Sequence, residues 1–406
     1  MVIEIMRGVL TRSSRNSGAV FLSFLLAALV GCSEISLAPE PEDYQNDSSL
    51  GSEASETPGS GLAPDEAFSG KTSEIPIEVF FAADISETAK DNFWKVLRLG
   101  IGLWGNYGPT EVYVVGVDKE ASDDLQQFFC DRREYSEDYC DSLPDDGMEY
   151  YRQIGLDGQT DPELTRTEAA WVGVPAEGYH MLVFSRPHGL GLEDTRGWPA
   201  WNDEATILHE YWHVVQSAHV SNSMLKQADI EASGDGTEWD QDLYDQRYEE
   251  WTSTISSREG PQWFIEGQAD FMSYLELDRL VEAGKIGGTS ATDYAWEPVM
   301  LSKLEAGLEN EWDTSESLED TMSYDLGSWA VAHLLAEHGE DILLEEFYPQ
   351  LMEYPTWEAN FEETFGTTTE EFYSEFEIFL ELISGLSEEE AIREAELLLD
   401  NYEGVQ

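Results

Sequence analysis

Two histidines and a glutamate stand at a spacing typical of metal-dependent hydrolysis. His209, Glu210 and His213 form the pattern His-Glu-x-x-His inside a stretch whose apolar residues recur at helical spacing. Residues four apart lie on one face of a helix, so both imidazoles can reach one ion. Glu210 is adjacent to a ligand but is not needed for coordination, so it is the candidate general base. The motif is short and by itself only suggests a metal site.

A second pair of acids supplies what the first motif lacks. Glu266 and Asp270 are also four apart, on a predicted helix that begins after Pro261. Glu266 is the candidate third ligand, because two histidines and one glutamate leave the fourth zinc position open for water. Asp270 is predicted to accept a hydrogen bond from the non-ligating nitrogen of one imidazole. Gly267 is predicted to let this helix approach the first one closely. The alternative for Glu266 and Asp270 is a solvated acidic face, although the flanking aromatic residues indicate a buried helix. The alternative for Gly267 is a packing role alone.

The combined motifs resemble the gluzincin branch of zinc metallopeptidases, which contains thermolysin and the aminopeptidase-N-like enzymes. His209-Glu210-x-x-His213 followed by Glu266-x-x-x-Asp270 carries the resemblance, and residues 261–269 are similar to a Trp-x-x-Glu-Gly-x-Ala version found in bacterial members. Tyr324-Asp325-Leu326-Gly327 resembles the Tyr-x-x-Gly segment of the aminopeptidase-N-like enzymes. The resemblance implies a catalytic Zn²⁺, a peptide or protein substrate, and a transition-state role for Tyr324. The alternative for Tyr324 is a packing role at a helix start.

The kind of peptidase depends on an anchor for the substrate's free amine. Aminopeptidases of this group carry Gly-x-Met-Glu-Asn shortly before the zinc helix. The one partial match to this motif is Gly147-Met148-Glu149-Tyr150, which lacks the spacer residue and the Asn and is predicted to start a helix. The sequence therefore favours an endopeptidase over an aminopeptidase.

The N-terminal region indicates export. Basic residues at positions 7, 12 and 15 precede an apolar run at 19–30 that is too short to span a bilayer comfortably, so residues 1–32 are predicted to be a signal peptide. Leu29-Val30-Gly31-Cys32 resembles a bacterial lipobox, which implies a lipid anchor at Cys32 and, with Ser33, sorting to the outer membrane. An ordinary signal peptide is the alternative. Residues 33–75 are rich in Ser, Pro, Gly and acid, and are predicted to form a disordered tether.

The rest of the chain is predicted to be α+β with a zincin-type architecture. Residues 76–200 form a mixed N-terminal subdomain, with strands at 76–81, 111–117 and 179–185 and a helix through Phe93, Leu97, Ile101 and Trp104. The strand at 179–185 is expected at the cleft edge, where it would pair with an extended substrate. Residues 201–340 form a helical zinc subdomain, and residues 341–406 form C-terminal helices.

Charge and cysteine content limit the remaining function classes. The chain has 84 acidic and 21 basic residues, a formal charge of -63, which excludes nucleic acid as a partner. Cys130 and Cys140 are spaced for a local disulfide in an oxidising compartment, with two free thiols as the alternative.

Two other hypotheses about function compete with that of an active peptidase. One is a lipoprotein that keeps an inactive zincin-like scaffold for binding or assembly, although such a protein has no chemical need of Glu210. The other is an acidic protein that binds Ca²⁺ through residues 141–147 and 235–245, neither of which fits an EF-hand loop. Calcium beside catalytic zinc is a third arrangement.

Overall fold

The computed structural model describes residues 68–133, 135, 140, 148–160, 169–174, 179–185, 201–221, 224, 231–232, 241–286, 299–304 and 324–384. The predicted signal with Cys32, the tether up to residue 67, the acidic stretches 141–147 and 235–240, and the tail after residue 384 lie outside these residues. Within the described ranges, every helix is too short or too polar to cross a bilayer. The described chain is mixed α+β and mostly helical.

Four strands form one small mixed sheet. They are β1 (Glu78–Phe81), β2 (Thr110–Val114), β3 (Ala169–Val174) and β4 (Tyr179–Phe184), in the spatial order β1-β2-β4-β3. β1, β2 and β4 run parallel, with Val112 paired to both Val79 and Leu182, whereas β3 runs antiparallel to β4. Every residue of β2 and β4 is buried, as expected for strands covered on both faces.

The position of β4 corrects a prediction. The strand at 179–185 was expected at the cleft edge, but β4 is hydrogen-bonded on both sides, by β2 and by β3. Its nearly continuous apolar run is typical of an internal strand covered on both faces. Among the described strands the edge on this side is β3, which the sequence did not predict. Ala169, Ala170 and Gly173 form strands poorly, so the strand signal there is weak.

Helices, including a π-helical stretch at Leu343–Phe347, dominate the rest of the described chain, and the four described strands precede residue 185. Beside the sheet are α1 (Glu87–Trp104), α2 (Lys119–Arg132) and α3 (Met148–Thr160). The helices that follow are α4 (Trp201–Ser217), α5 (Gln241–Glu259), α6 (Gln262–Glu282), a short segment at 299–304, α7 (Tyr324–His338), α8 (Tyr348–Gln350), α9 (Trp357–Phe365) and α10 (Thr369–Ser384).

The predicted helix α1 is confirmed and supports α4. Its N-cap is Ser86, whose hydroxyl accepts a hydrogen bond from the Ala89 amide at 3.2 Å. The buried side of α1 ends at Trp104, whose ring meets that of Trp212 edge to face at 5.2 Å. This contact joins the sheet half to α4, the helix that carries His209 and His213.

One continuous hydrophobic core runs through both halves of the described chain. The C-terminal helices belong to it: Trp263 of α6 stacks on Phe372 of α10 at 5.6 Å, and Phe264 contacts Phe361 of α9 at 6.1 Å. Residues 341–384 therefore share their core with α6.

The packed chain begins before residue 76, so the predicted tether ends too late. Phe68 is 6% exposed, and its ring lies 4.4 Å from that of His180. The Gly70 amide donates to the Ala218 carbonyl at 2.7 Å, and the Asn106 side chain donates to the Ile75 carbonyl at 2.6 Å. One buried aromatic ring and backbone hydrogen bonds hold a segment whose composition alone indicated disorder.

Cys130 and Cys140 form a disulfide, the pairing expected from their spacing. Cys130 lies near the end of α2, where the following Arg132 and Arg133 both pair with the buried carboxylate of Glu111 on β2. The ion pairs fix the end of α2 against β2, and the disulfide ties it to the segment at Cys140.

Candidate metal centre

The helix α4 presents His209 and His213 one turn apart. Around them Ile207, Leu208 and Trp212 are fully buried. The Tyr211 hydroxyl donates to the Gly105 carbonyl at the end of α1, at 2.7 Å. These contacts fix the rotation of α4 about its axis, and with it the direction in which the two imidazoles point.

The helix α6 brings Glu266 to the first imidazole. Gln262, one turn earlier, donates to Glu266 Oε1 at 2.8 Å. The other oxygen, Oε2, lies 3.7 Å from His209 Nε2 and has no hydrogen-bond partner among the described residues. Glu266 is 3% exposed, so this oxygen is directed at the imidazole from inside the protein.

Asp270 contacts the opposite side of the same imidazole. Its Oδ1 lies 3.0 Å from His209 Nδ1, the geometry of a hydrogen bond from the ring nitrogen to the carboxylate. His209 Nε2 is thereby left facing Glu266. This is the arrangement in which a carboxylate orients a metal-binding histidine.

Lys303 completes this group, and sequence reasoning missed it. Its Nζ lies 2.6 Å from Asp270 Oδ2 and 3.0 Å from Asp325 Oδ1. Burial favours a raised pKa for Asp270, but the Lys303 charge and the His209 hydrogen bond outweigh it and lower the pKa to about 2. Asp270 is therefore ionised at neutral pH.

His213 lies on the other side, next to Glu210. Its Nε2 is 3.7 Å from Glu210 Oε2, and the donor atoms of His209, Glu210 and His213 all lie within 4.8 Å of one another. Burial and the neighbouring His209 lower the pKa of His213, which favours the neutral imidazole that metals bind. The pair of imidazoles is therefore flanked by two carboxylates, Glu266 beside His209 and Glu210 beside His213.

His209, Glu210 and His213 form a group that could hold a metal ion. Two imidazoles and a buried carboxylate are a common catalytic zinc set. Burial raises the pKa of Glu266 to about 7, because the charge of His209 compensates only part of the lost hydration. A divalent cation held by His209 Nε2 and Glu266 Oε2 would replace the proton of His209 and supply the compensating charge in its place.

Tyr324, at the start of α7, lies at the solvent side of this group. Its ring stacks on that of His209, with centroids 6.5 Å apart, and the residue is 37% exposed. Burial of the hydroxyl and the nearby carboxylates of Glu266, Asp270 and Glu210 raise its pKa, so the hydroxyl keeps its proton. The structure thus places Tyr324 beside the histidines, where a phenol can donate a hydrogen bond.

Gly267 serves a different helix from the one expected. It was predicted to let α6 approach α4, but a Cβ at Gly267 would lie 2.3 Å from the backbone of Gly327 on α7. A Cβ at Gly327 would in turn lie 2.7 Å from the Trp263 carbonyl. The two glycines allow α6 and α7 to cross in backbone contact, which holds Tyr324 over Glu266.

A buried polar group that the sequence did not reveal joins α4 to α6. The Gln216 side-chain nitrogen lies 3.1 Å from Gln268 Oε1 and 2.7 Å from the Tyr348 hydroxyl, which itself donates to Gln268 Oε1 at 2.5 Å. Glutamines are ordinary helix residues, so no local pattern marks this contact between distant segments.

The partial match to an amine anchor and two further histidines have structural partners of their own. Residues 148–150 of that partial match lie at the start of α3, as predicted, and Glu149 there pairs with Arg152. His180 bonds the Ser217 hydroxyl at 3.2 Å, and His219 bonds the Val215 carbonyl at 2.9 Å, so both have structural partners.

No protein-family model, curated protein or solved structure matches this chain.

Proposed function

We propose that this chain is a zinc-dependent peptidase in which His209, His213 and Glu266 hold the metal and Glu210 is the general base. The observation that carries the proposal is the arrangement around His209, where Asp270 binds Nδ1 and Glu266 approaches Nε2. When bound, zinc supplies a Lewis acid that makes water acidic enough to ionise near neutral pH.

The protein side chains divide the remaining work of hydrolysis. Glu210 takes a proton from the attacking water and delivers it to the departing amine, which a carboxylate beside the metal ligands is placed to do. The protonated Tyr324 hydroxyl donates a hydrogen bond to the oxyanion that develops on the scissile carbonyl. Asp270 holds the His209 ring in its ligating orientation throughout.

The edge strand β3 is the proposed support for the substrate backbone. β3 packs against α4 and is the last strand on that side among those described. An extended peptide can add to such an edge through main-chain hydrogen bonds, as an endopeptidase cleft requires. Peptides with N-methylated backbone amides near the cleaved bond should therefore show a raised KM, and an unchanged KM for every methylation position would contradict this placement.

The test of activity uses a single substitution in α4. Glu210→Gln removes the proton acceptor without removing a proposed ligand, so we expect retained zinc and a loss of turnover of about 10²- to 10⁴-fold on a fluorogenic peptide library. Glu204→Gln, the same change at the start of the same helix, is the matched control and should hydrolyse normally. A chelator should abolish hydrolysis by both the wild type and the control. Unchanged hydrolysis by Glu210→Gln would contradict the mechanism.

We further propose that the enzyme is exported and held on the outer membrane by a lipid on Cys32, on the strength of the residues around that cysteine. Mass spectrometry of the mature N-terminus tests this. A diacylglyceryl mass on Cys32 is expected, and an unmodified mature terminus would contradict it.

A further inference from the structure

Lys303 forms an ion pair with Asp270 on α6, and it lies in the short segment 299–304, separate from both helices that carry the proposed metal ligands. Its side chain is 13% exposed, and its Nζ is held between Asp270 Oδ2 at 2.6 Å and Asp325 Oδ1 at 3.0 Å. Its charge also lies 5.6 Å from the centre of the Tyr274 ring. Lys303 therefore bridges α6 and the first turn of α7.

The segment that carries Lys303 is firmly seated. Met300 and Leu304 on either side of it are 0% and 4% exposed. The Met300 carbonyl accepts a hydrogen bond at 2.7 Å from the indole nitrogen of Trp329, which lies on α7 and is itself fully buried. The backbone beneath Lys303 is thus attached to the same helix that Lys303 binds through Asp325.

We propose that Lys303 is a positioning residue of the metal centre, an inference that rests on the proposed function. By holding Asp270 Oδ2 it leaves Oδ1 directed at His209 Nδ1, which fixes the orientation of a proposed zinc ligand. By holding Asp325 it fixes the residue adjacent to Tyr324, and so the position of the phenol relative to the metal. One ammonium group therefore aligns two parts of the site that come from different helices.

A purely structural role predicts a different outcome. If Lys303 served only to neutralise buried acid, its loss would lower stability and leave the metal affinity of the folded protein unchanged. Positioning instead predicts a change in metal binding and in the ligand field while the protein remains folded.

The experiment compares Lys303→Met, Lys303→Arg and Lys119→Met. Lys119 forms an exposed pair with Asp123 on α2, remote in the fold from the metal helices, and is the matched control. Zinc affinity is measured by competition with a chromophoric chelator, and the visible absorption of the Co²⁺-substituted protein reports the ligand geometry. We expect zinc affinity to fall about 10- to 100-fold with an altered Co²⁺ spectrum in Lys303→Met, and to recover most of the wild-type value in Lys303→Arg. Lys119→Met should match the wild type.

A double substitution shows whether Lys303 acts through Asp270. Asp270→Asn alone should weaken zinc binding, and adding Lys303→Met should weaken it little further, because the partner through which Lys303 acts is already altered. Wild-type zinc affinity and an unchanged Co²⁺ spectrum in folded Lys303→Met would overturn the proposal.

Asp325→Asn keeps the test decisive if Lys303→Met does not fold. This variant leaves the Lys303 pair with Asp270 in place, so zinc affinity should hold while kcat falls through Tyr324, and an unchanged kcat would overturn the bridging role. The metal readouts need no hydrolysis. A wild type that binds zinc but cleaves no peptide would refute the proposed function, whereas an unaltered metal site in Lys303→Met would refute this inference alone.

Discussion

Two carboxylates four residues apart on α6 behave differently because their neighbours differ. Asp270 meets Lys303 and His209, so its pKa is about 2 in spite of burial. Glu266 meets no lysine or arginine among the described residues, and burial raises its pKa to about 7. A group whose charge is already compensated is suited to orient a ligand, and a group that lacks compensation is suited to bind a cation.

Tyr324 is the residue whose role is most directly tested by removing one atom. Tyr324→Phe keeps the ring that stacks on His209 and removes only the hydroxyl. We expect kcat to fall about 10²- to 10³-fold with little change in KM, because the hydrogen bond forms mainly in the transition state. Steady-state kinetics on one peptide measures this. Tyr150→Phe, at an exposed position of α3, is the control, and a Tyr324→Phe enzyme with wild-type kcat would leave the tyrosine with a packing role only.

At the level of elements, the crossing of α6 and α7 sets the distance between the proposed metal ligands and Tyr324. Gly267→Ala places a Cβ within 2.3 Å of the Gly327 backbone, so the helices must separate. We expect a loss of about 1 to 3 kcal/mol in the free energy of unfolding and a reduced kcat from the displaced tyrosine.

The control for this substitution is Gly102→Ala on α1, where a Cβ would meet no described atom within 4 Å. It should stabilise the protein by up to about 1 kcal/mol, because alanine favours a helix over glycine. Urea unfolding measures both variants. Equal stability of Gly267→Ala and the wild type would show that the crossing is looser than described.

The buried carboxyl of Glu204, at the start of α4, lowers the stability of the folded protein as the pH rises. Burial, followed by the charge of Asp203, raises the pKa of Glu204 from 4.5 to about 7. Between these values the folded protein binds more protons than the unfolded chain, so stability falls as the pH rises from about 4.5 through about 7. Glu204→Gln removes this term. It should be more stable than the wild type at pH 8, by about 1 to 3 kcal/mol, with the difference shrinking towards pH 5.

Urea unfolding at the two pH values measures the effect. Glu87→Gln is the control, because Glu87 also lies in the first turn of a helix but its side chain is 85% exposed. Its effect on stability should be small and similar at both pH values. A Glu204→Gln variant that is no more stable than the wild type at pH 8 would contradict the description of this helix start.

For the whole molecule, a contact could be predicted from the sequence when its residues are close together in the chain, and could not when they are far apart. The pairs His209 with His213 and Glu266 with Asp270 are spaced by one helical turn, so local periodicity was enough to place each pair on one face. Three contacts depend on how distant helices cross: the pair of Lys303 with Asp270, the packing of Gly267 against Gly327, and the contact of Gln216 with Gln268. No local sequence pattern carries that information. The strand β3 was missed because its alanines and glycine give little strand signal, and with it the identity of the sheet edge.

The proposed metal site depends on the whole fold, because α4 and α6 must bring three ligands to one ion while Glu210 stays unbound. A zinc-soaked crystal of the full-length protein, examined by anomalous diffraction at the zinc edge, tests it most directly. We predict a single zinc peak with His209 Nε2, His213 Nε2 and Glu266 Oε2 at about 2.0 to 2.2 Å. A peak bound by Glu210 in place of Glu266, or no zinc between the two histidines, would contradict the account.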